Sequence, residues 1–259
     1  MPYSLDTYER ALQGALEVGY RFWSFRAPED IPAAGGLALR HDVDADLVAA
    51  LAMAERESFY GVRATYFVMT QSPLYNLFSR QSLQLVESIL SSGHELGLHY
   101  DAAVDAQLGR SREETQSRIA QAAEFLEHHF GARVASVSFH QPSRAILSNP
   151  LECGSRSNTY GQKLNALKYL SDSNRGMKIP KDARRMFAQY FPESLQVLVH
   201  PMWWVYSNPD YVEVWNQAIA DNFASEQRTL LGTERMYGPE RKLDVLGLDD
   251  EVDSAKKTR

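Results

Sequence analysis

The chain has 259 residues, 44% of them hydrophobic, enough for one sizeable core and awkward for two. Its net charge of -6 builds in no general attraction to phosphate backbones or anionic lipid, so nucleic acid is excluded as an expected partner. A single cysteine, Cys153, excludes an intramolecular disulfide and a thiolate zinc cluster and fits a reducing compartment.

No stretch approaches about 18 uninterrupted apolar residues, so no transmembrane segment is expected. The opening "MPYSLDTYERALQGALEVGYRFWSF" carries acidic residues and lacks the basic-then-apolar order of a secretory signal, which makes a cytoplasmic location the expectation. Leu5, Tyr8, Leu12 and Leu16 recur at helical spacing and Gly19 reads as a stop, predicting a helix over 4–19. "RAPEDIPAAGG" reads as a loop, and "GLALRHDV", short and apolar behind glycines, as a buried strand.

The pattern then alternates. "DLVAALAMAERESFYG" is helical, "RATYFVM" is rich in β-formers, "SLQLVESILSSG" is helical and "HELGLH" reads as a strand. A helix follows over "SREETQSRIAQAAEFLEHHFG", opened by a capping box at Ser111 and Glu114, and leads to the strand "RVASVSFH". From Gln141 to Asn165 the Ser, Asn, Gly and Pro content predicts a long functional loop. "ALKYLSD" and "LQVLVH" read as two more strands, and Pro209 to about Arg235 as a long helix. Residues 1–240 are expected to form one domain, and 241–259 a charged, disordered tail.

Repeated strand and helix units with apolar strands imply parallel strands joined by right-handed crossovers. The fold class expected is α/β: an irregular or incomplete (β/α) barrel of about seven parallel strands, with an open doubly wound sheet as the other candidate. Both place chemistry at the carboxyl ends of the strands. There the sequence supplies Asp42 and Asp44, His99 and Asp101, His140, Asp172 and His200. Residues two apart on a strand share a face, so Asp42 and Asp44 can enter one pocket while His41 and Val43 point away.

Each residue alone has a plainer reading. Asp44 or Asp46 can cap the helix that follows, and a lone strand-end histidine is more often structural than a ligand. His94 is expected to hold structure, and His128 and His129 to lie on the surface. Convergence on one rim favours chemistry. Oxygen and nitrogen ligands without cysteine suit a catalytic zinc or similar divalent ion. Amide or ester hydrolysis would use it together with a carboxylate base and a histidine acid.

"LRHDVD", "GHELGLHYD", "SFHQPS" and "VLVHP", in that order over about residues 36 to 205, resemble the motifs of the polysaccharide deacetylase family, also called the NodB homology or carbohydrate esterase four domain. The likeness is nearer to its divergent branch associated with surface-polysaccharide loci. It implies a metal-dependent hydrolase that removes acetyl or formyl groups from amino sugars, with zinc the expected ion. By position Asp42 is similar to the family's base, Asp44 and His99 to its metal ligands, and His200 to its acid. Pro142 matches the third motif. Ala103 stands where the family places a second metal histidine, so His140 or Asp101 is expected to complete the site. His140 stands where the third motif commonly has an arginine, and Asp172 falls near the acidic residue that orients that motif's side chain. Tyr100, Trp203, Trp204 and Tyr206 are candidates to stack on a sugar, with ordinary packing as the alternative.

The expected substrate is an amino sugar of a surface polysaccharide, such as O-antigen or capsule, or its lipid-linked or nucleotide-linked precursor. The alternatives are a carbohydrate-binding or regulatory protein that lost the reaction, favoured by Ala103, and hydrolysis of a non-sugar amide.

Overall fold

The computed structural model describes residues 3–26, 31–32 and 34–234. In chain order its first half runs α1 (Leu5–Val18), β1 (Arg21–Trp23), β2 (Gly36–Val43), α2 (Leu47–Phe59), β3 (Thr65–Val68), α3 (Arg80–Ser91), β4 (Glu95–Tyr100), α4 (Ala102–Gln107), α5 (Arg112–Phe130) and β5 (Val134–Phe139). The second half runs α6 (Arg144–Ser148), β6 (Ser157–Asn158), α7 (Gln162–Asn165), β7 (Lys168–Ser171), α8 (Arg184–Ala188), β8 (Leu195–Val199), α9 (Pro201–Val205) and α10 (Tyr211–Thr233), with a 3-10 turn at Ser173–Arg175.

The long helices begin and end where local chemistry dictates. Ser4 caps α1 by accepting from the Thr7 N–H, and Gly19 ends it in the left-handed conformation at φ 103°. Asp46 caps α2, and the Ser111–Glu114 capping box opens α5.

Every strand pairs in parallel, in the order β6-β5-β4-β3-β2-β8-β7, with β1 against the start of β2. Among the described residues β6 and β7 do not pair, so the sheet is an incomplete (β/α) barrel. All residues of β2, β3, β5 and β8 are buried, as expected of strands covered on both faces. The carboxyl ends all lie on one rim, since parallel strands share a direction.

Alternation sorts the side chains. Leu37, Leu39, Val43, Leu195, Val197 and Val199 join the large core shared with the helices. On the other face Phe25, Ala38, Phe67 and Leu164 form a separate cluster. Its tight point is Gly97, which pairs with Phe67 across β3 and β4; a Cβ there would stand 2.4 Å from the Phe67 ring.

One polar group sits inside the large core. Glu57, fully buried on α2, accepts hydrogen bonds from Tyr8 on α1, from His41 Nε2 at 2.6 Å and from the Tyr66 hydroxyl at 2.9 Å. Burial alone raises its pKa, but His41, His94 and Tyr8 outweigh that and hold the carboxyl low.

The structure adds elements the sequence reading did not contain. β1 is only three residues long, too short for alternation to register. The stretch read as one loop, 141–165, holds α6, β6 and α7. It is tied down by Arg112 on the Asn149 and Pro150 carbonyls and by Asn158 on the Leu151 carbonyl, contacts without a sequence period.

The chain divides into two compact units, Met1–Ile219 and Ala220–Arg259. All strands of the described residues belong to the first. Of the second, the described residues include 220–233 of α10, which as a whole is two residues shorter at its start than expected. The expected boundary at 240 and the tail 241–259 lie outside the described residues.

Candidate active site

The rim encloses a cavity of about 760 Å³, within the usual size of small-molecule sites, whose walls include Asp42, Asp44, His99, His140, Pro142 and His200. β2 delivers Asp42 and, just past its end, Asp44. β4 delivers His99, β5 leads into His140, and β8 into His200.

Asp42 is buried with both oxygens occupied. Arg40 Nη2 donates to Oδ2 at 2.7 Å and the Ser138 hydroxyl to Oδ1 at 3.1 Å. Burial alone raises its pKa, but the charges of Arg40, His99 and His200 outweigh it and hold the carboxyl below its ordinary value. Arg40 is itself fully buried, and its guanidinium lies 5.0 Å from the Tyr160 ring centroid and 5.7 Å from that of Phe67.

Ser138 sets the proton positions next door. Its one proton goes to Asp42, so at 2.6 Å its oxygen accepts from His99 Nδ1–H. With Nδ1 already donating to Ser138, the other ring nitrogen, Nε2, faces Asp44 Oδ1 at 3.0 Å. Two such atoms at that separation need a cation: a second proton or a metal ion. His140 Nδ1 approaches the same oxygen at 3.2 Å. Ligand atoms of Asp44, His99 and His140 all lie within 4.8 Å of one another, a nitrogen and oxygen set that fits a divalent ion. Burial raises the Asp44 pKa, but hydrogen bonds from His140 and His99 dominate and hold it far below the usual carboxylate range.

His200 closes the fourth side, its Nε2 3.7 Å from Asp44 Oδ2. Its Nδ1 bonds Asp172 Oδ1 at 2.6 Å, while Asp172 Oδ2 accepts from the His200 backbone N–H and from Trp204 Nε1, each at 2.8 Å. Burial lowers the His200 pKa, but the Asp172 charge and hydrogen bond, with Asp44 and Asp42, raise it to about 9. The imidazole is therefore held protonated at neutral pH.

Among solved structures the chain is similar to a Bacillus subtilis peptidoglycan deacetylase, PdaC (15% identity, TM-score 0.43, covering 78% of this chain and 96% of that one). It is also similar to the Streptococcus pyogenes deacetylase PplD in complex with acetate (16%, TM-score 0.44, 76% and 81%). A carbohydrate esterase four pseudoenzyme from Bacillus anthracis matches too (16%, TM-score 0.40, 73% and 60%). No family model and no curated protein matches. None of these structures is near enough to lend this chain its residues or its substrate.

The remaining expected residues fall in different places. Asp101 caps α4 by accepting from the Ala103 N–H at 3.0 Å, and His140 is the residue grouped with Asp44 and His99. Asp172 orients His200 and Trp204 rather than the third-motif side chain His140. Trp203 lines the cavity, but Trp204 is buried against Asp172, Tyr100 turns its hydroxyl to Asp105, and Tyr206 turns its own to Asp46. Those three are not among the side chains that line the cavity, because each ring has a polar anchor inside the fold. His94 is structural: Nδ1 accepts from the Ala64 N–H and Nε2 donates to the Ala54 carbonyl.

Sequence reasoning missed Arg40, Ser138, Tyr160 and Trp215. Alternation held the signal for two of them: Arg40 is two residues before Asp42, and Ser138 two before His140. Tyr160 and Trp215 reach the cavity from the irregular segment and from α10, where no period marks them.

Proposed function

We propose that this chain is a divergent member of the polysaccharide deacetylase family, a metal-dependent hydrolase that removes an N-acetyl or N-formyl group from an amino sugar. The observation that carries the reading is the pairing of two oppositely tuned groups across one cavity: Asp42 kept ionised by Arg40, and His200 kept protonated by Asp172. A carbohydrate-binding module needs neither.

Asp44, His99 and His140 would hold the ion, zinc being the one such a ligand set suits. When bound, it supplies Lewis acidity toward the acyl carbonyl and makes water more acidic. Asp42 then takes the proton from the attacking water as the new C–O bond forms. His200 Nε2, facing the cavity, gives its proton to the amide nitrogen as the C–N bond breaks, so the amine leaves neutral and the acyl group departs as the carboxylic acid, which then loses its proton to solvent. Proton positions are set in advance: Ser138 fixes the His99 tautomer and Asp172 fixes that of His200. Trp203, Tyr160, Tyr211 and Trp215 give the cavity aromatic walls suited to a sugar ring.

The substrate we assign is an amino sugar of a surface polysaccharide such as O-antigen or capsule, or the lipid-linked or nucleotide-linked precursor of one. The test is acetate or formate release from N-acylated amino sugars by the metal-loaded protein, beside Asp42→Asn. The variant should fold and retain metal but lose turnover by roughly 10²-fold or more. Substantial activity left in Asp42→Asn excludes it as the base.

A further inference from the structure

Beside His200, the cavity wall includes Arg175, which the steps above do not use. It ends the 3-10 turn that begins just after Asp172, and its backbone N–H closes onto the Asp172 carbonyl at 2.6 Å. Arg175 is in the left-handed region at φ 55°. Of the three described non-glycine residues with positive φ, Gln141, Arg175 and Ser207, the first two line this cavity. Such conformations are costly for a residue with a Cβ and concentrate where function holds them.

The side chain is fixed as well. Nη1 donates to the Pro209 carbonyl at 2.6 Å, and the guanidinium lies 5.1 Å from the Tyr3 ring centroid and 6.0 Å from that of Trp203. These partners are all neutral, and among the described residues no carboxylate pairs with Arg175. A guanidinium has five N–H donors in a planar fork that matches carboxylate and phosphate oxygens. Held against Trp203, it places a preorganised positive charge beside the wall suited to a sugar ring.

We propose that Arg175 receives an anionic substituent on the substrate, a phosphate ester or a carboxylate borne by the sugar, and so selects charged saccharides over neutral ones. The sugar in this statement rests on the deacetylase reading; the anion does not. A nucleotide-linked or lipid-linked precursor would bring phosphate, and an acidic sugar would bring carboxylate.

Direct binding to the metal-loaded full chain tests it, with N-acetylglucosamine 1-phosphate, N-acetylmuramic acid and neutral methyl N-acetylglucosaminide as probes. At low salt at least one anionic probe should bind roughly ten-fold more tightly than the neutral one, as a charge-assisted contact allows. The preference should shrink with added salt. Arg175→Met should abolish it without weakening the neutral probe, and Arg175→Lys should keep part of it. The better anionic probe names the source of the charge. Equal wild-type affinity for charged and neutral probes overturns the proposal, as does equal weakening of all probes in Arg175→Met, which would make Arg175 a structural tie. Absence of binding by either anionic probe at millimolar concentration also overturns it. Acetate release is followed separately. A charge preference without release refutes the hydrolase and leaves this proposal standing, and release without a charge preference does the reverse.

Discussion

Arg40→Met removes the cation from a fully buried ion pair and leaves the Asp42 carboxylate facing a low-dielectric interior. The pair is 2.7 Å long, and the Arg40 and Asp42 side chains are 0% and 3% exposed, so water cannot take over the missing contact. Breaking such a pair from one side costs about 3–5 kcal/mol. Ser138 still donates to Asp42, which sets the expectation at the lower end. The methionine keeps apolar volume against Phe67 and Tyr160, so little of the loss is cavity formation.

The pH dependence follows from the sign of the shift. With Arg40 present the folded pKa of Asp42 is depressed, so its contribution to stability exists above the unfolded pKa and fades as pH falls through the folded one. Without Arg40 the largest opposing cause is gone and burial weighs more against the charged form, so the deficit is full at neutral pH and shrinks as Asp42 takes up a proton. Urea unfolding across pH 5 to 8 reads the deficit of the variant against a wild-type contribution that is constant there, because that contribution fades only below the ordinary carboxylate pKa. Asp42→Asn and the double variant complete a cycle. The double variant should recover most of the loss, having no unpaired charge. A loss under about 1 kcal/mol, the range of an exposed pair, or an equal loss in the Asp42→Asn background, refutes the argument.

Asp44→Ala should abolish retention of a divalent ion in elemental analysis; unchanged stoichiometry removes Asp44 from the metal site. Asp172→Asn takes away the main cause that raises His200, so the alkaline limb of the activity profile, set near pH 9 by His200, should move to lower pH. An unmoved limb means that His200 is not the acid. Gly97→Ala drives a methyl against the Phe67 ring and should cost about 1–3 kcal/mol in thermal unfolding. A neutral outcome would contradict the spacing of β3 and β4.

The parallel strands were legible because burial on both faces leaves short apolar runs between helical periods, and the rim was legible because ionisable residues stood at their ends. Asp46 as a helix cap and His94 as a structural histidine also followed from local sequence. What alternation cannot show is which neighbour a side chain meets. His99 and Ser138 are far apart in sequence yet share a proton, and Asp172 is 28 residues from the histidine it holds. Arg40 was hidden in plain view, since a cation in an apolar run reads as a strand edge until its carboxylate partner is seen. The segment around α6, β6 and α7 follows no period because single tertiary hydrogen bonds position it.

Glu57 and its partners bear on how β2 finds its place. A strand buried on both faces has little to stop it sliding by one position, and such a slide exchanges the faces of every residue. A slide that brings Asp42 to Glu57 sets carboxylate against carboxylate, and a slide in either direction takes His41 from Glu57 and turns both Asp42 and Arg40 off the cavity face. Misregistered chains are thus penalised on both surfaces at once, and the polar knot behind the sheet acts as an alignment key for the chemistry in front of it.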